Sequence, residues 1–413
     1  MNEEQTPLLD LHSIKAISVL GRGAKGIAFL IRNHKETLAL KVISKASIES
    51  KKLKIKEDDN GEVIDEIDLY KRIWFERDVL NLFNHPLLPR LRGVLNTDEI
   101  IGFAIDYCSG GDLNNLRKQQ TEKMFSHDVI RFYAAELVLV LEYLHSLGII
   151  YRDLKPENIL IQENGHLMIV DFDLSAKLSL YPSVRSNQSK SSETITTKRK
   201  AKRIGGLFMC NSGFSQVDSV EIKSVTSETG SVEKSRSFVG TEEYVAPEII
   251  KGDGHDFSVD WWSLGVVLYE MLYGKTPFKG ANRKETFYRI LSKSPELVGE
   301  QNELRDLIGK LLEKDPSKRI GLEEIKGHDF FKCVNWDSIM EISRPPNIPA
   351  MKWYDENDLE EMDGIDVQLV VEGIIDGEKM AKEKLNENIE KNNKGVWVEG
   401  LRNPSTDAEF LIF

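Results

Sequence analysis

The sequence predicts an α+β fold with two lobes, a small β-rich N-terminal lobe and a larger helical C-terminal lobe. Between residues 11 and 106, short apolar and polar runs alternate, which is typical of strands separated by turns. From residue 107 to residue 331, apolar residues instead recur with the helical period. One helical pattern, Tyr70–Phe83, interrupts the strands and ends before His85-Pro86, because proline cannot continue a helix.

The individual elements follow from the same patterns. In the N-terminal lobe, the strand pattern is clearest in Ala16–Leu20, Ile27–Ile31 and Leu38–Val42. In the C-terminal lobe, Val129–Leu147 and Val259–Tyr273 are long and periodic enough to predict helices. We therefore expect the lobes to meet at about residue 106.

A long insertion interrupts the helical lobe at about residues 179–236. It is rich in serine and threonine, lacks a periodic apolar pattern and carries the basic run Lys198–Arg203, so we predict a disordered loop. A shorter charged stretch, Lys51–Asp68, also has the composition of a loop. The basic run is compatible with a solvated loop, which is favoured, with a nuclear localisation signal, or with a patch for anionic lipids.

The chain therefore divides into three expected parts. Residues 1–14 form an N-terminal extension, residues 15–331 form the two-lobed domain, and residues 332–413 form an acidic tail. The tail has a charged helical stretch near Glu378–Lys394 and ends abruptly in the apolar run Phe410–Phe413.

The composition excludes several classes of protein. The 413 residues carry 55 Lys and Arg against 67 Asp and Glu, and this net charge of −12 argues against nucleic-acid binding by the whole chain. Cys108, Cys210 and Cys333 are widely spaced and predict neither a disulfide framework nor a metal cluster. No apolar stretch reaches transmembrane length, and Met1–Asp10 lacks the features of a signal peptide. We expect a cytosolic or nuclear protein.

The most specific chemical motif is the run Tyr151–Asn158, which is followed by Asp171. Asp153 would accept or orient the proton of an attacking hydroxyl, and Lys155 would neutralise charge on a moving phosphoryl group. Asn158 and Asp171 offer the hard oxygen ligands that Mg²⁺ prefers. This spacing is typical of a phosphoryl-transfer enzyme, and Lys155 favours serine or threonine over tyrosine as the acceptor. The competing interpretation, a solvated charged loop, predicts no second acidic signal at a fixed distance.

A glycine motif lies ahead of the first catalytic residues. Gly21, Gly23 and Gly26 form a G-x-G-x-x-G pattern, which alone is weak because dinucleotide-binding folds share it. Here a strand follows the glycines rather than a helix, so we expect a hairpin whose backbone approaches the phosphates of ATP closely. The alternative is a plain glycine-rich hairpin.

Lys41 lies in an otherwise apolar strand, where a lysine is costly to bury without a partner. We expect it to contact the α and β phosphates and to form an ion pair with Glu76 on the Tyr70–Phe83 helix. The alternative is a lysine at a strand end that reaches water.

The segment before Ala246-Pro247-Glu248 carries regulatory signals. Arg152, beside the catalytic aspartate, is suited to bind a phosphate on this segment, and Ser237 is the candidate acceptor because of its position before Gly240-Thr241. Thr241 would then lie near the catalytic loop.

Two further acidic residues have expected structural roles. Glu248 would form an ion pair with Arg319, since a buried carboxylate needs a cationic partner. Asp260, before Trp261-Trp262, would brace the backbone of the catalytic loop.

These motifs together resemble the eukaryotic protein kinases over roughly residues 15–331. Tyr151 in place of the more common histidine, the run Gly240–Tyr244 and the Pro-Pro-x-x-Pro stretch at Pro345–Pro349 resemble the AGC group. Asp173 in place of the usual glycine, together with the insertion before Ser237, is similar to the plant AGC VIII family. The resemblance implies the bilobal protein kinase fold and an active serine/threonine kinase that uses ATP and Mg²⁺ and is activated by phosphorylation.

The resemblance also implies how ATP would bind. Asp106 and Cys108 would hydrogen-bond the adenine through the backbone of the hinge between the lobes, with Ile105 as the gatekeeper residue. Asp112 would lie near the ribose. The adenine would be enclosed by four apolar side chains, those of Leu20, Ala28, Ala39 and Leu160.

Substrates and partners follow from the same resemblance. Asp112, Glu157 and Glu270 match acidic positions that bind basic residues before the target serine or threonine, and Thr241 would border the substrate. This implies protein substrates with basic segments, in signalling that serves growth, oxidative stress and plant defence through downstream kinases.

The end of the tail resembles a docking motif. Phe410 and Phe413 are similar to the hydrophobic motif that docks a 3-phosphoinositide-dependent protein kinase, which would then phosphorylate Ser237. The alternative is an apolar terminus that is loose or packs only on its own N-terminal lobe.

Two residues depart from the family pattern. Lys25 stands at the tip of the glycine loop where many AGC kinases have an aromatic residue, and Asp173 lacks the backbone freedom of glycine. Two alternative functions are therefore considered: a catalytically inactive scaffold and a small-molecule kinase of related fold. The filled catalytic positions argue against the first, and the complete segment up to Glu248 argues against the second.

Overall fold

The computed structural model describes residues 7–22, 26–34, 36–48, 66–178, 235, 240–342, 367, 370 and 371. Several expectations fall outside these residues: nearly all of the insertion, the basic run Lys198–Arg203, most of the charged stretch Lys51–Asp68, most of the tail, and the single residues Gly23, Lys25, Ser237, Phe410 and Phe413.

The N-terminal lobe is an antiparallel sheet of five strands in the order β1-β2-β3-β5-β4. The strands are β1 (Lys15–Arg22), β2 (Ile27–Asn33), β3 (Glu36–Ser44), β4 (Leu91–Asn96) and β5 (Ile100–Asp106). Helix α1 (Glu66–Leu82) connects β3 to β4. The three predicted strands are therefore confirmed.

Helix α1 begins four residues earlier than predicted, inside the stretch that was expected to be a loop. Its first turn is Glu-Ile-Asp-Leu, which holds too few apolar residues to show a helical period. The loop expectation is wrong for residues 66–68, and the helix prediction is otherwise confirmed.

The two faces of the sheet have different contents because side chains alternate along a strand. Ala28 pairs with Lys41 and Leu30 with Ala39, so these four side chains share one face. The opposite face is apolar and buried, and it includes Phe29, Ile31, Leu40, Val42 and Leu95.

The C-terminal lobe is helical. Its helices are α2 (Leu113–Lys118), α3 (His127–Ser146), α4 (Pro247–Lys251), α5 (Ser258–Tyr273), α6 (Arg283–Ser292), α7 (Glu303–Leu311) and α8 (Leu322–Lys326). The central pair, α3 and α5, confirms the two predicted helices to within two residues at each end. In the parts of the chain that the structure describes, no helix is long and apolar enough to cross a membrane.

Two short antiparallel strand pairs also belong to this lobe. Strand β6 (Ile149–Ile150) pairs with β9 (Ala176–Lys177), and β7 (Ile159–Ile161) pairs with β8 (Leu167–Ile169). The segments between these strands carry the predicted catalytic residues. The α+β architecture is confirmed.

Candidate active site

An open cleft, lined mainly by apolar side chains, lies at the meeting of the two lobes. Six of the residues expected around adenine line this cleft, namely Leu20, Ala28, Ala39, Asp106, Cys108 and Leu160, and so does the expected gatekeeper Ile105. Asp112 is not among the lining residues of the cleft, but it forms a β-bridge with Leu160 at its edge. Sequence reasoning missed four lining residues, which reach the cleft through the fold and carry no local signal of their own: Leu80, Phe103, Tyr107 and Val170.

Two glycines of the loop motif lie within the described residues. Gly21 pairs with Ala28 across the β1–β2 hairpin. A Cβ atom at Gly26 would lie 2.2 Å from the carbonyl oxygen of Val42, which leaves no room for any side chain. Glycine is therefore required at position 26 by the packing of the hairpin on β3, as well as by any approach of phosphate.

The buried lysine of β3 bridges two carboxylates. Lys41 Nζ lies 2.8 Å from Glu76 Oε1 and 2.7 Å from Asp171 Oδ1. Burial alone would lower the pKa of Lys41, but Asp171 and Glu76 outweigh that effect and raise the pKa well above its ordinary value. The expected Lys41–Glu76 pair is present, and Lys41 is a permanent cation at the inner end of the cleft.

Asp153 is buried and held from three sides. Lys155 Nζ and Asn158 Nδ2 each donate to Oδ2 at 2.9 Å, and the hydroxyl of Thr241 donates to Oδ1 at 2.7 Å. Burial raises the pKa of Asp153 above its ordinary value, although Lys155 and Thr241 act in the opposite direction. The structure thus brings together Asp153, Lys155, Asn158 and Thr241 as the sequence predicted.

The arrangement fits a divalent cation. Asn158 Oδ1 is buried and has no hydrogen-bond partner among the described residues, whereas its Nδ2 donates to Asp153. Asp171 has a left-handed backbone with φ of 63°, a conformation that L residues rarely adopt. An unsatisfied amide oxygen and a nearby carboxylate are the hard oxygen donors that suit Mg²⁺.

The catalytic loop is fixed by a buried aspartate on α5. Asp260 accepts from the backbone N–H groups of Tyr151 at 2.9 Å and Arg152 at 2.8 Å, and it also contacts His145 Nε2 at 2.8 Å. The predicted bracing role of Asp260 is present in this geometry.

The expected ion pair between Glu248 and Arg319 is also present. The guanidinium contacts both carboxylate oxygens, at 2.6 and 3.0 Å, and it donates to the carbonyl of Ser258 at 2.8 Å. Helix α4 is thereby tied to the loop that carries Arg319.

Arg152 connects the catalytic loop to the segment before the insertion and to Ser235 near the C-terminal end of the insertion. Its guanidinium donates to the carbonyls of Leu174 at 2.6 Å and Ser175 at 3.3 Å, and to the hydroxyl of Ser235 at 3.1 Å. The serine that was expected to carry a phosphate near Arg152, Ser237, lies outside the described residues.

Two of the acidic residues expected to bind substrate form contacts with other residues of the chain. Glu270 forms an ion pair with Arg117 at 2.9 Å and accepts from the hydroxyl of Tyr244. Asp112 caps helix α2 by accepting from Asn115 N at 2.7 Å.

Among the described residues, the carboxylate of Glu157, the third of these acids, accepts one side-chain hydrogen bond, which comes from the neutral Asn114 Nδ2 at 3.0 Å. The sequence carried no signal for the Glu270 contacts, because Arg117 and Tyr244 lie far from Glu270 in the chain.

The comparisons with known proteins all indicate the same family. The protein kinase domain family matches residues 14–198 and 223–331. Serine/threonine-protein kinase OXI1 of Arabidopsis thaliana is 52% identical over 427 residues, which cover 100% of this chain and 99% of that protein.

Two further Arabidopsis relatives are also similar over most of their length. Serine/threonine-protein kinase UCNL is 43% identical over 83% of this chain and 85% of its own length. Serine/threonine-protein kinase UCN is 41% identical over 85% of this chain and 86% of its own length. The segments Phe103–Cys108 and Asp256–Tyr273 also resemble a plant oxidative signal-inducible kinase, and the likeness to OXI1 over the whole chain agrees with this resemblance.

Proposed function

The chain belongs to the protein kinase family, within the plant AGC VIII serine/threonine kinases, and on this premise we propose that it phosphorylates basic segments of proteins in stress and growth signalling. Kinases of this family use ATP and Mg²⁺: the nucleotide supplies the phosphoryl group, and the metal neutralises the charge of the phosphates.

The kinase domain would span residues 15–331, with the tail from 332 to 413 as a regulatory element. The cytoplasm is its expected place of action. A solvated loop is the favoured interpretation of the basic run Lys198–Arg203, and a nuclear address and a peripheral membrane address are the two alternatives.

The observation that carries the proposal is the set of contacts around Asp153. Its Oδ1 accepts from the hydroxyl of Thr241, and its Oδ2 accepts from Lys155 and Asn158. An acceptor hydroxyl that replaced the Thr241 hydroxyl would meet a carboxylate oriented to take its proton and an ammonium placed to neutralise the phosphoryl group.

The chain's own residues would position the nucleotide and the metal. Lys41, held by Glu76 and Asp171, would bind the α and β phosphates, and the glycine loop at Gly21–Gly26 would cover them. Asn158 Oδ1 and the Asp171 carboxylate would be ligands of Mg²⁺. Adenine would occupy the apolar cleft beside Leu20, Ala28, Ala39 and Leu160, with the backbone of Asp106 and Cys108 as its hydrogen-bond partners and Asp112 near the ribose.

The basic preference of the substrate is tested with matched peptides. The chain, phosphorylated at Ser237, would be assayed with Mg-ATP and a serine peptide that has arginines before the serine, and with the same peptide carrying glutamines instead. We expect a kcat/KM at least tenfold higher for the arginine peptide, because a charged hydrogen bond contributes about 1.5–3 kcal/mol. Equal kcat/KM values would contradict the basic preference and leave the kinase activity standing.

Activation is the second part of the proposal. A 3-phosphoinositide-dependent protein kinase would dock on Phe410 and Phe413 and phosphorylate Ser237, whose phosphate Arg152 would bind. Mass spectrometry of Ser237 after incubation with that kinase tests this, with wild-type chain, Phe410→Ala/Phe413→Ala and the control Leu411→Ala.

We expect phosphorylation of Ser237 to slow at least tenfold in the double variant, since buried aromatic anchors dominate docking affinity, and to change little in the control. Equal rates in all three chains would contradict docking at the tail.

A further inference from the structure

Residues 7–9 cover the open edge of the N-terminal sheet. Strand β4 is the last strand of that sheet, and an edge strand presents a row of unpaired backbone groups. Leu9 N donates to Val94 O at 2.8 Å and Val94 N donates to Pro7 O at 3.0 Å, so that Leu8 forms a parallel β-bridge with Val94. Two backbone hydrogen bonds therefore fix this segment on β4.

The side chain of Leu9 occupies the place that a side chain at Gly93 would take. A Cβ atom at Gly93 would lie 2.5 Å from Leu9 Cγ, which is closer than two such carbons approach. Leu9 also packs against the buried apolar face of the sheet, whereas its neighbour Leu8 is 80% exposed. The absence of a side chain at Gly93 thus allows Leu9 to pack directly on β4.

Strand β4 is irregular beside Gly93. Leu91 pairs with Ile105 and Gly93 pairs with Ala104 of β5, so Arg92 is the extra residue of a β-bulge. A bulge changes the direction of a side chain, and bulges are frequent beside active sites. Leu9 therefore contacts β4 at the residue that directly follows the bulge.

The side chain at the bulge holds Asp106, whose backbone is expected to bind adenine. Arg92 Nε donates to Asp106 Oδ1 at 2.5 Å, and Arg90 N donates to Asp106 Oδ2 at 2.9 Å. A longer contact of 3.8 Å joins Arg92 Nη1 to Glu36 Oε1. Both carboxylate oxygens of Asp106 are thus held by β4, so the conformation of β4 determines where this end of the hinge lies.

We propose that Leu9 is a positioning residue for ATP. Packed on Gly93, it keeps the bulge of β4 in the conformation from which Arg92 binds the hinge residue Asp106. This inference rests on the proposed kinase function, and it adds a determinant of nucleotide binding that lies before residue 14, where the family match begins. Leu9 acts through β4 on the hinge, so it affects the affinity for ATP and not the phosphoryl transfer itself.

The test measures kcat and the KM for ATP with one basic serine peptide, and the Kd for Mg-ADP by calorimetry, in full-length chains phosphorylated at Ser237. Leu9→Asp places a charge against Gly93 and detaches the segment. Gly93→Val fills the same space from β4 and leaves Leu9 unchanged. In both variants we expect the KM for ATP and the Kd for Mg-ADP to rise about tenfold, because the hydrogen bonds to adenine are weakened, with kcat unchanged.

Three further variants are the controls. Leu8→Asp puts the same charge on the adjacent, exposed residue and should keep the wild-type KM for ATP. Leu9→Met should also keep it, because methionine has nearly the volume of leucine. Val371→Ala removes packing from the same apolar cluster without altering β4, so it should lose stability and keep the KM.

A KM for ATP that is unchanged in Leu9→Asp and Gly93→Val would overturn the positioning role and leave the kinase intact. A loss confined to kcat, or an equal rise of the KM in Val371→Ala, would overturn it as well. Failure of the wild-type chain to bind Mg-ADP and to transfer phosphate would instead overturn the proposed function and this inference with it.

Discussion

Thr241 is one of the groups that stabilise the ionised form of Asp153, after Lys155. The hydroxyl donates to Asp153 Oδ1 at 2.7 Å and so stabilises the ionised carboxylate, whose pKa burial has already raised. Activity requires the ionised form, so it falls as the pH drops through this pKa. Thr241→Val removes the donor and raises the pKa further, so we expect the acid limb of kcat/KM to move to higher pH.

Thr241→Ser is the matched control because it keeps the hydroxyl. Its pH profile should resemble that of the wild-type chain, and both profiles are measured with one peptide at saturating Mg-ATP. An acid limb at the same pH in the valine variant would show that Thr241 does not tune Asp153.

Lys314 has a side-chain amine that is partly removed from water and packed against aromatic rings. Its Nζ has no hydrogen-bond partner among the described residues and lies 3.8 Å from the ring centroid of Phe278. Burial, with Arg319 nearby, lowers the pKa of Lys314 from 10.5 to about 7. Between these two pH values the unfolded chain binds a proton that the folded chain lacks, so folding stability rises with pH there.

Lys314→Met removes this contribution. On raising the pH from 7 to 9, the Tm of the wild-type chain should rise relative to that of Lys314→Met, whereas Lys251→Met, which alters an exposed lysine, should follow the wild type. Tm curves of wild type and Lys314→Met that run parallel over this range would refute the prediction.

At the scale of elements, one buried ion pair fastens α4 to the loop that carries Arg319, within the C-terminal lobe. The Glu248 and Arg319 side chains are 4% and 0% exposed, so removing one partner leaves a buried charge alone. We expect Arg319→Met to lower the free energy of unfolding by about 3–5 kcal/mol. The double variant Arg319→Met/Glu248→Gln should regain part of the lost free energy of unfolding, because it no longer buries an unpaired carboxylate.

Urea denaturation of the two single variants and the double variant measures this coupling. Losses that simply add in the double variant would mean that the two side chains act independently, contrary to the geometry.

The elements also show what the sequence could predict. Strands β1–β3 and helices α3 and α5 were predictable because their apolar residues repeat with a clear period. The motif residues around Asp153 were predictable because their spacing is local. The contacts of Glu270 were not, since Arg117 and Tyr244 are brought to it only by the packed fold.

At the scale of the whole molecule, segments far apart in sequence complete the N-terminal lobe. Val367 and Val371 are each 4% exposed and pack into the apolar face of the sheet, where Leu9 and Leu11 also contact it. The protein kinase family match ends at residue 331, so no sequence pattern of the domain indicated these contacts.

Val371→Ala should therefore lower the free energy of unfolding by about 1.5–2 kcal/mol, because it removes two buried carbons from that core. Val370→Ala should cost less, since Val370 is only partly buried against the same cluster. Thermal unfolding of both variants shows which one loses more stability. An equal loss, or a larger loss in Val370→Ala, would contradict the packing of the tail on this lobe.

The central claim is that Asp153 lies at the reacting centre of a serine/threonine kinase. It is tested most directly by the initial rate of phosphate transfer from Mg-ATP to a basic serine peptide, for wild-type chain and Asp153→Asn, both phosphorylated at Ser237. We expect transfer by the wild type and a loss of about 10²–10⁴-fold in a variant that still unfolds cooperatively. Equal rates in the two chains, or no transfer by either, would contradict the claim.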